Sequence, residues 1–306
     1  MLTPIYKIID NNNKIFIKRE DFIPFSFGGN KARKAQYFFR EIDKLKSDCV
    51  VTYGSSSSNH CRVVANMAAS RKMPCYIIGP AESSELTYNS LMMNLFNAEI
   101  NIVPVSEVHD TIEDTLVCLQ GCGKKPYFIE GGGHGNLGTQ AYVDCYNEIL
   151  EYEQLEKIHF DYIFFASGTG TTQAGLICGQ LLHGDERKII GISIARKNPR
   201  GRQIIINSIN DYCDVNDIRM RQEDIFDKTI FLDDYTGDGY ACSNEHINGK
   251  IKQLFMDTGI PLDPTYTGKA YSAMLDIIHQ QQIEGKNILF IHTGGTPLFF
   301  DYLHKI

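Results

Sequence analysis

Short apolar runs alternate along the chain with stretches of helical periodicity. The apolar runs are rich in Ile, Val, Phe and Tyr, and they predict strands at residues 15–18, 49–53, 76–78, 100–105, 127–129, 162–166, 189–194 and 288–292. Between them apolar residues recur at i, i+3, i+4 and i+7, as in Ala35, Phe38, Phe39 and Ile42, which predicts one face of a helix. Repeated strand–helix–strand units predict an α/β fold with parallel sheets flanked by helices.

The composition narrows the class of protein. The 306 residues suffice for one large or two modest domains, and a formal net charge of −7 argues against non-specific binding to nucleic acid or to an anionic membrane surface. No apolar run reaches the roughly 18 residues of a membrane-spanning helix, and the first residues lack the features of a signal peptide. Nine scattered cysteines suit a reducing cytoplasm. We therefore expect a cytoplasmic protein with no nucleic-acid or membrane partner.

No metal site is expected. Cys118 and Cys122 lie close together in the sequence, but no second cysteine pair and no His-x-x-x-His completes a zinc-ligand set. The nine histidines show no other spacing typical of metal ligands.

Five turns are candidate ligand sites, because α/β folds bind ligands where strands turn into helices. They cover residues 27–31, 54–60, 131–136, 167–172 and 293–297. In the 167–172 turn, Gly168 and Gly170 allow close approach of the backbone to an anion, and Thr169, Thr171 and Thr172 add hydroxyl donors. This segment is either an anion site or a plain helix cap. The glycines at 131–136 are interpreted as a plain turn that lines a pocket.

Lys31 stands in the first turn of the predicted helix. The positive end of the helix dipole lowers the pKa of a lysine there and favours the neutral amine, which is the nucleophile in Schiff-base chemistry. The alternative is an ordinary surface lysine. The turn that contains Ser58, Asn59 and His60 suits a carboxylate as well as it suits simple capping.

Six segments each give weak evidence for a family, but their order along the chain is specific. They cover residues 28–34, 58–62, 168–175, 239–240, 262–270 and 292–297. Through them the chain resembles the pyridoxal-phosphate enzymes of fold type II, most closely the D-cysteine desulfhydrase/1-aminocyclopropane-1-carboxylate deaminase family. The matches run over nearly the whole chain. The resemblance implies a two-domain, tryptophan synthase β-like architecture with pyridoxal 5'-phosphate as cofactor.

The resemblance also implies roles for individual residues. Lys31 would bind the cofactor covalently and then act as the base at the substrate Cα. Asn59 would bind the ring hydroxyl of the cofactor, and Ser58, Asn59 and His60 would donate to the substrate carboxylate. Tyr240 and Tyr266 would flank the substrate. The cofactor phosphate would lie on Gly168, Thr169, Gly170, Thr171 and Thr172, and catalytic roles are implied for Lys31, Ser58, Tyr240 and Tyr266.

Two positions indicate the branch of the family. Members that open the cyclopropane ring carry Glu directly after the second tyrosine and Leu before the last Gly-Gly pair, whereas this chain has Thr267 and Thr293, the pair of the desulfhydrase-like members. His60 also follows that branch. A hydroxyl near the pyridine nitrogen gives a milder electron sink than a carboxylate, which suffices for loss of a good β-leaving group. The serines at 55–57 replace more typical residues, a Gln among them, beside the presumed carboxylate site.

The resulting prediction is an α,β-elimination on a small amino acid, D-cysteine or a β-substituted D-alanine, by a cytoplasmic homodimer. The alternatives are deamination of aminocyclopropane carboxylate, a β-replacement or an isomerisation. A different kind of alternative is a catalytically silent binding protein on the same fold. The predicted smaller domain spans residues 46–150, and the larger combines 1–45 with 151–306, with the cofactor between them.

Overall fold

The computed structural model describes residues 2–236, 239 and 243–306, and in this part of the chain ten strands form two sheets. The strands are β1 (Ile5–Asp10), β2 (Lys14–Arg19), β3 (Cys49–Tyr53), β4 (Cys75–Pro80), β5 (Glu99–Val103), β6 (Pro126–Ile129), β7 (Tyr162–Ser167), β8 (Lys188–Ser193), β9 (Ile230–Leu232) and β10 (Asn287–His292). The helices are α1 (Gly29–Leu45), α2 (Asn59–Ser70), α3 (Tyr88–Leu95), α4 (Val108–Gly121), α5 (Asn136–Glu156), α6 (Thr171–Leu182), α7 (Arg200–Val215), α8 (Gln222–Lys228), α9 (Glu245–Thr258), α10 (Thr267–Gln280) and α11 (Thr296–Asp301).

Both sheets are dominated by parallel pairing. The larger sheet has the strand order β1-β2-β10-β7-β8-β9, and the smaller sheet has the order β5-β4-β3-β6. Each described strand pair is parallel except β1 with β2. Helices cover the sheets, so the predicted α/β class with parallel sheets and flanking helices is confirmed.

The two strands that the hydrophobic pattern did not predict lie at the edges of the larger sheet. β1 pairs antiparallel with β2 and contains a register shift between Lys7 and Ile9, which interrupts the alternation that identifies a strand. β9 has only three residues, too few for a periodic signal. All eight predicted strands form, with ends shifted by a few residues at most.

Two helices pack against the opposite sheet from the one that the predicted domain division gives them. Phe39 and Ile42 of α1, assigned to the larger domain, are fully buried in the core of the smaller sheet. Ala141 and Ile149 of α5, assigned to the smaller domain, are fully buried in the core of the larger sheet. The division at residues 46–150 stays a prediction, and these helices tie the two sheets together.

A buried ion network fixes the start of α1 against the larger sheet. The guanidinium of Arg33 donates to Glu20 at 2.5 and 2.8 Å and to Glu148 at 2.8 and 2.9 Å. Lys18 on β2 donates to Glu148 at 2.9 Å, and Thr3 donates to Glu20 at 2.7 Å. Burial by itself raises the pKa of Glu20, but the charges of Arg33 and Lys18 outweigh it and lower the pKa to about 2.

None of the helices in the described ranges combines the length and the apolar character that crossing a bilayer demands.

Removal of the Glu20 charge is expected to destabilise the protein. Glu20→Gln leaves Arg33 and Lys18 buried without one of their carboxylates, so we expect a loss of about 3 kcal/mol in the free energy of unfolding at pH 7. Because the pKa of Glu20 in the folded protein is depressed, its contribution exists above the ordinary pKa of 4.5 and disappears as the pH falls towards 2. Urea denaturation of both proteins between pH 7 and pH 3 measures this.

The matched control is Glu186→Gln, which removes a surface ion pair with Lys228. It is expected to cost less than about 1 kcal/mol. Equal effects of the two substitutions would contradict the stabilising role of the buried network.

Candidate functional site

A cleft opens where the carboxyl ends of both sheets face each other. It holds a cavity of about 620 Å³ and, deeper, a second cavity of about 40 Å³. Both are lined by residues that follow strands or begin helices, and they share Lys31, Asn59, Gly168, Thr169 and Tyr266. Residues from four separately predicted motifs therefore meet in one place.

Close backbone packing places Lys31 in the cleft. A Cβ on Gly29 would lie 2.7 Å from the carbonyl oxygen of Thr293 and 2.9 Å from the Cα of Gly294, so a side chain at residue 29 would displace the 293–294 turn. The amide of Asn30 donates to the Thr293 carbonyl at 2.8 Å. Helix α1 thus begins directly on the turn after β10, and Lys31 projects between the two sheets.

The amine of Lys31 is poised to become neutral near physiological pH. Burial, reinforced by the positive charge of Arg196, lowers its pKa to about 8. Its Nζ donates to the carbonyl oxygen of Gly132 at 2.9 Å. The 131–136 turn, interpreted from the sequence as a plain turn, therefore fixes the position of the Lys31 amine.

The 58–60 segment presents donors at the start of α2. Ser58 caps the helix, and its Oγ accepts from the Cys61 amide at 3.2 Å. The side-chain oxygen of Asn59 accepts from the amide nitrogen of Asn89 at 3.0 Å, which fixes the rotamer of Asn59. The Asn59 amide nitrogen makes no hydrogen bond with the described residues, and Asn59 lines both cavities. It is therefore available to a ligand.

His60 is a neutral wall of the cavity. The Thr52 hydroxyl donates to the Ile129 carbonyl at 2.7 Å and has a single proton, so the contact of 2.9 Å with Nε2 of His60 is a donation from the ring. Burial and the charges of Lys31 and Lys34 hold the pKa of His60 well below its usual range. The ring proton is used on Thr52, so donation to a substrate carboxylate rests on the backbone N–H of this segment.

The turn after β7 forms an anion-binding cradle. Gly170 caps α6 with φ of 102°, in the left-handed region that favours glycine. The smaller cavity is lined here by Gly168, Thr169, Gly170 and Thr172. Thr171, which was predicted with them, lines neither cavity, and its Oγ accepts from Lys34 at 2.7 Å. The anion-site interpretation of this turn stays a prediction, and the N–H groups at the start of α6 are compatible with it.

Lys34 adds a buried positive charge beside this turn. Its side chain is 1% exposed and has no carboxylate within ion-pair distance among the described residues. Burial and the nearby charge of Lys31 lower its pKa well below the usual range. The sequence analysis did not assign Lys34 a role. The available signal was its position one helical turn after Lys31, on the same face of α1.

The C-terminal motifs contribute unequally. Tyr266 lines both cavities, and Thr293 lines the smaller one. Thr267 lines neither, because its hydroxyl donates to the buried carboxylate of Asp263 at 2.7 Å. A role of Thr267 at the cofactor stays a prediction. Tyr240 lies outside the described residues.

Lys269 ties together the chain that precedes Tyr240. Its side chain is buried, and Nζ donates to the carbonyl oxygens of Thr236 at 2.8 Å and of Gly239 at 2.7 Å. A weaker contact of 3.5 Å reaches the carbonyl of Ile194, which lines the larger cavity. Lys269 is therefore a positioning residue for this wall.

Five further charged or titratable residues line the larger cavity, and the sequence analysis assigned none of them a role: Tyr53, Glu130, His134, Arg196 and Arg200. Arg196 follows β8, and its guanidinium donates to the carbonyl of Gly168. The sequence signal was only its place after a strand, since this turn carries no glycine cluster.

Comparison with known proteins shows which family and which proteins the chain resembles. The family model described as "Pyridoxal-phosphate dependent enzyme" matches residues 2–294. The chain is similar to proteins named D-cysteine desulfhydrase from Serratia proteamaculans, with 33% identity over 94% of this chain and 88% of the relative. The corresponding protein from Yersinia enterocolitica is 34% identical with the same coverage. A crystal structure described as an ACC deaminase homologue superposes with a TM-score of 0.89 at 28% identity, covering 100% of this chain and 93% of its own.

Lys31 is expected to react with pyridoxal 5'-phosphate at a lower pH than an ordinary lysine does. Capture by the cofactor-free protein should rise with pH around a midpoint of about 8, instead of the 10.5 of an ordinary lysine. Borohydride reduction followed by peptide mapping should find the label on Lys31. Lys31→Ala should abolish labelling, and Lys44→Ala, on the exposed side of the same helix, should not. Label on Lys34 would contradict the assignment.

Loss of the Lys269 amine is expected to loosen the wall it holds. In Lys269→Met, amide hydrogen exchange in peptides that cover residues 232–239 should accelerate about tenfold or more, because two carbonyl acceptors lose a charged donor. Lys252→Met, on an exposed position of α9, is the control and should leave the exchange unchanged. Unchanged exchange in Lys269→Met would show that the loop is held by other contacts.

Proposed function

The chain belongs to the family of pyridoxal-phosphate dependent enzymes, and we propose that it catalyses α,β-elimination from D-cysteine or another β-substituted D-alanine. The products are pyruvate, ammonia and, from D-cysteine, sulfide. The observation that carries this function is the meeting of the Lys31 amine with the anion cradle after β7 and the Thr293 hydroxyl in one cleft. The two D-cysteine desulfhydrase relatives support the choice of substrate.

The residues of the cleft fit pyridoxal 5'-phosphate. The buried amine of Lys34 has no carboxylate partner among the described residues and donates to Thr171, the first residue of α6, where free N–H groups begin the helix. A phosphate group bound at this helix start would favour the protonated form of that amine. Gly168, Thr169, Gly170 and Thr172 would hold the phosphate, Lys31 the reactive carbon, Asn59 the ring hydroxyl and Thr293 the ring nitrogen.

The bound cofactor would supply an electron sink for the pair left at Cα after deprotonation. Lys31 would take that proton, since its pKa of about 8 lets the amine both accept and release a proton near neutral pH. The backbone N–H groups at the start of α2, with Ser58 and Asn59, would orient the substrate carboxylate. Tyr266, at the boundary of both cavities, would face the β-substituent and position it for departure.

The two threonines favour elimination over ring opening in different ways. Thr293 would offer the ring nitrogen a hydroxyl, which is a milder partner than a carboxylate. Thr267 would act indirectly, by helping to fix the turn that carries Tyr266. The Thr267 hydroxyl and the Tyr266 backbone amide both donate to the carboxylate of Asp263, each at 2.7 Å. Tyr240 would lie beside the substrate together with Tyr266.

We further propose that the enzyme is a cytoplasmic homodimer, with the cofactor between the smaller domain (46–150) and the larger one (1–45 with 151–306). The cysteines in the described part of the chain are free thiols, as a reducing compartment requires. The dimer is inferred from the family resemblance.

The test is turnover of D-cysteine by the cofactor-loaded protein. Sulfide and pyruvate should form in equal amounts from D-cysteine and much more slowly from L-cysteine. Lys31→Ala should lower kcat by about a thousandfold or more, because proton transfer at Cα is lost. Lys44→Ala is the matched control and should keep full activity.

Other outcomes identify the alternatives. Formation of 2-oxobutyrate from 1-aminocyclopropane-1-carboxylate, without sulfide from D-cysteine, would favour the deaminase reaction named for the structural relative. Absence of both products, together with no exchange of Cα protons in heavy water, would indicate a binding protein on the enzyme fold.

A further inference from the structure

Two arginines face the larger cavity from the side of the larger sheet. Arg196 follows β8, and Arg200 is the first residue of α7. Both line the same cavity as Ser58 and His60, which belong to the start of α2 beside the smaller sheet. The cavity therefore has a hydroxyl and amide wall on one side and a guanidinium wall on the other.

Neither guanidinium group forms a salt bridge with a residue that the structure describes, although the charge of Glu130 acts on Arg196. Arg196 donates to the Gly168 carbonyl, a neutral acceptor, and Arg200 has no hydrogen bond or ion pair with any residue that the structure describes. Glu130 is the acidic side chain that lines this cavity, and its carboxylate is not within 4.0 Å of either guanidinium. An anion in the cavity would find two charged donors without competition from a salt bridge.

Lys31, Arg196 and Arg200 line one cavity, so their positive charges act on one another. Burial and the charge of Arg200 lower the pKa of Arg196, although Glu130 and Tyr53 oppose this, and the charge of Arg196 in turn lowers the pKa of Lys31. An anion between the arginines would relieve this repulsion.

The two anionic groups already assigned do not occupy this wall. The cofactor phosphate is placed at the smaller cavity, which neither arginine lines. The substrate carboxylate is placed at the start of α2, across the cleft. An anionic group on the side chain of the substrate would face this guanidinium wall.

We propose that the site takes amino acids whose β-substituent carries a second negative charge, with Arg196 and Arg200 as the ligands of that group. This inference rests on the proposed function and names its substrate class. With O-sulfo-D-serine, Lys31 would take the Cα proton, the Cβ–O bond would break, and sulfate would leave with the electron pair. The released 2-aminoacrylate reacts with one water to give pyruvate and ammonia, so atoms and charge balance.

The experiment compares O-sulfo-D-serine with β-chloro-D-alanine, whose β-substituent is neutral, on the cofactor-loaded enzyme. Arg200→Gln should lower kcat/KM for O-sulfo-D-serine about tenfold or more, because a charged donor is lost, and should change that for β-chloro-D-alanine less than about twofold. Arg200→Lys should restore part of the loss. Arg219→Gln, on an exposed position outside the cleft, is the control and should behave as wild type.

Binding is measured in parallel, from the change in the visible absorbance of the bound cofactor during titration with O-sulfo-D-serine. A weaker Kd in Arg200→Gln without pyruvate from either substrate would support the anion subsite and overturn the proposed elimination. Equal effects of Arg200→Gln on both substrates, or none on either Kd or kcat/KM, would overturn the subsite. Weaker retention of pyridoxal 5'-phosphate in Arg200→Gln would also overturn it, since the anion would then be the cofactor phosphate.

Discussion

The backbone of Gly29 packs directly against that of Gly294, and the position of Lys31 in the cleft depends on this contact. A Cβ at either residue would lie within 2.9 Å of the other turn, so the start of α1 can rest on the turn after β10 only when both residues are glycine. Lys31 follows two residues later and Thr293 immediately precedes Gly294. The contact therefore sets the distance between the amine and the hydroxyl proposed for opposite ends of the cofactor ring.

Helix α1 carries basic residues of two kinds, one held by carboxylates of the fold and two that have no such partners. Arg33 is neutralised by Glu20 and Glu148, which anchors the helix in the larger sheet. Lys31 and Lys34 have no such carboxylates among the described residues, and burial lowers the pKa of both. A buried cation without a partner is costly in a folded protein, and a bound anionic ligand removes that cost. The same helix thus carries Arg33, which stabilises the fold, and two lysines whose charge a bound anionic ligand would stabilise.

The larger cavity also combines neutral and positively charged groups. Neutral groups, the ring of His60 and the donors at the start of α2, form one wall, while Arg196 and Arg200 form the other. A family scaffold keeps the cofactor chemistry constant, and the walls around the β-substituent decide what is eliminated. Residues that follow β8 are well placed to make that choice because they lie outside the cofactor cradle.

The sequence by itself determined the α/β class, the central strands, the motifs and their family, because these depend on local periodicity and on residue order. The positions and the burial of particular side chains depend on contacts between segments that are distant in the sequence. Lys34 is buried because α1 packs on the turn after β7, and Thr267 is drawn away from the cavities by Asp263. Arg196 and Arg200 line the larger cavity because the two sheets oppose their carboxyl ends. No local pattern encodes these placements, because each depends on which distant segments the packing of the two sheets brings together.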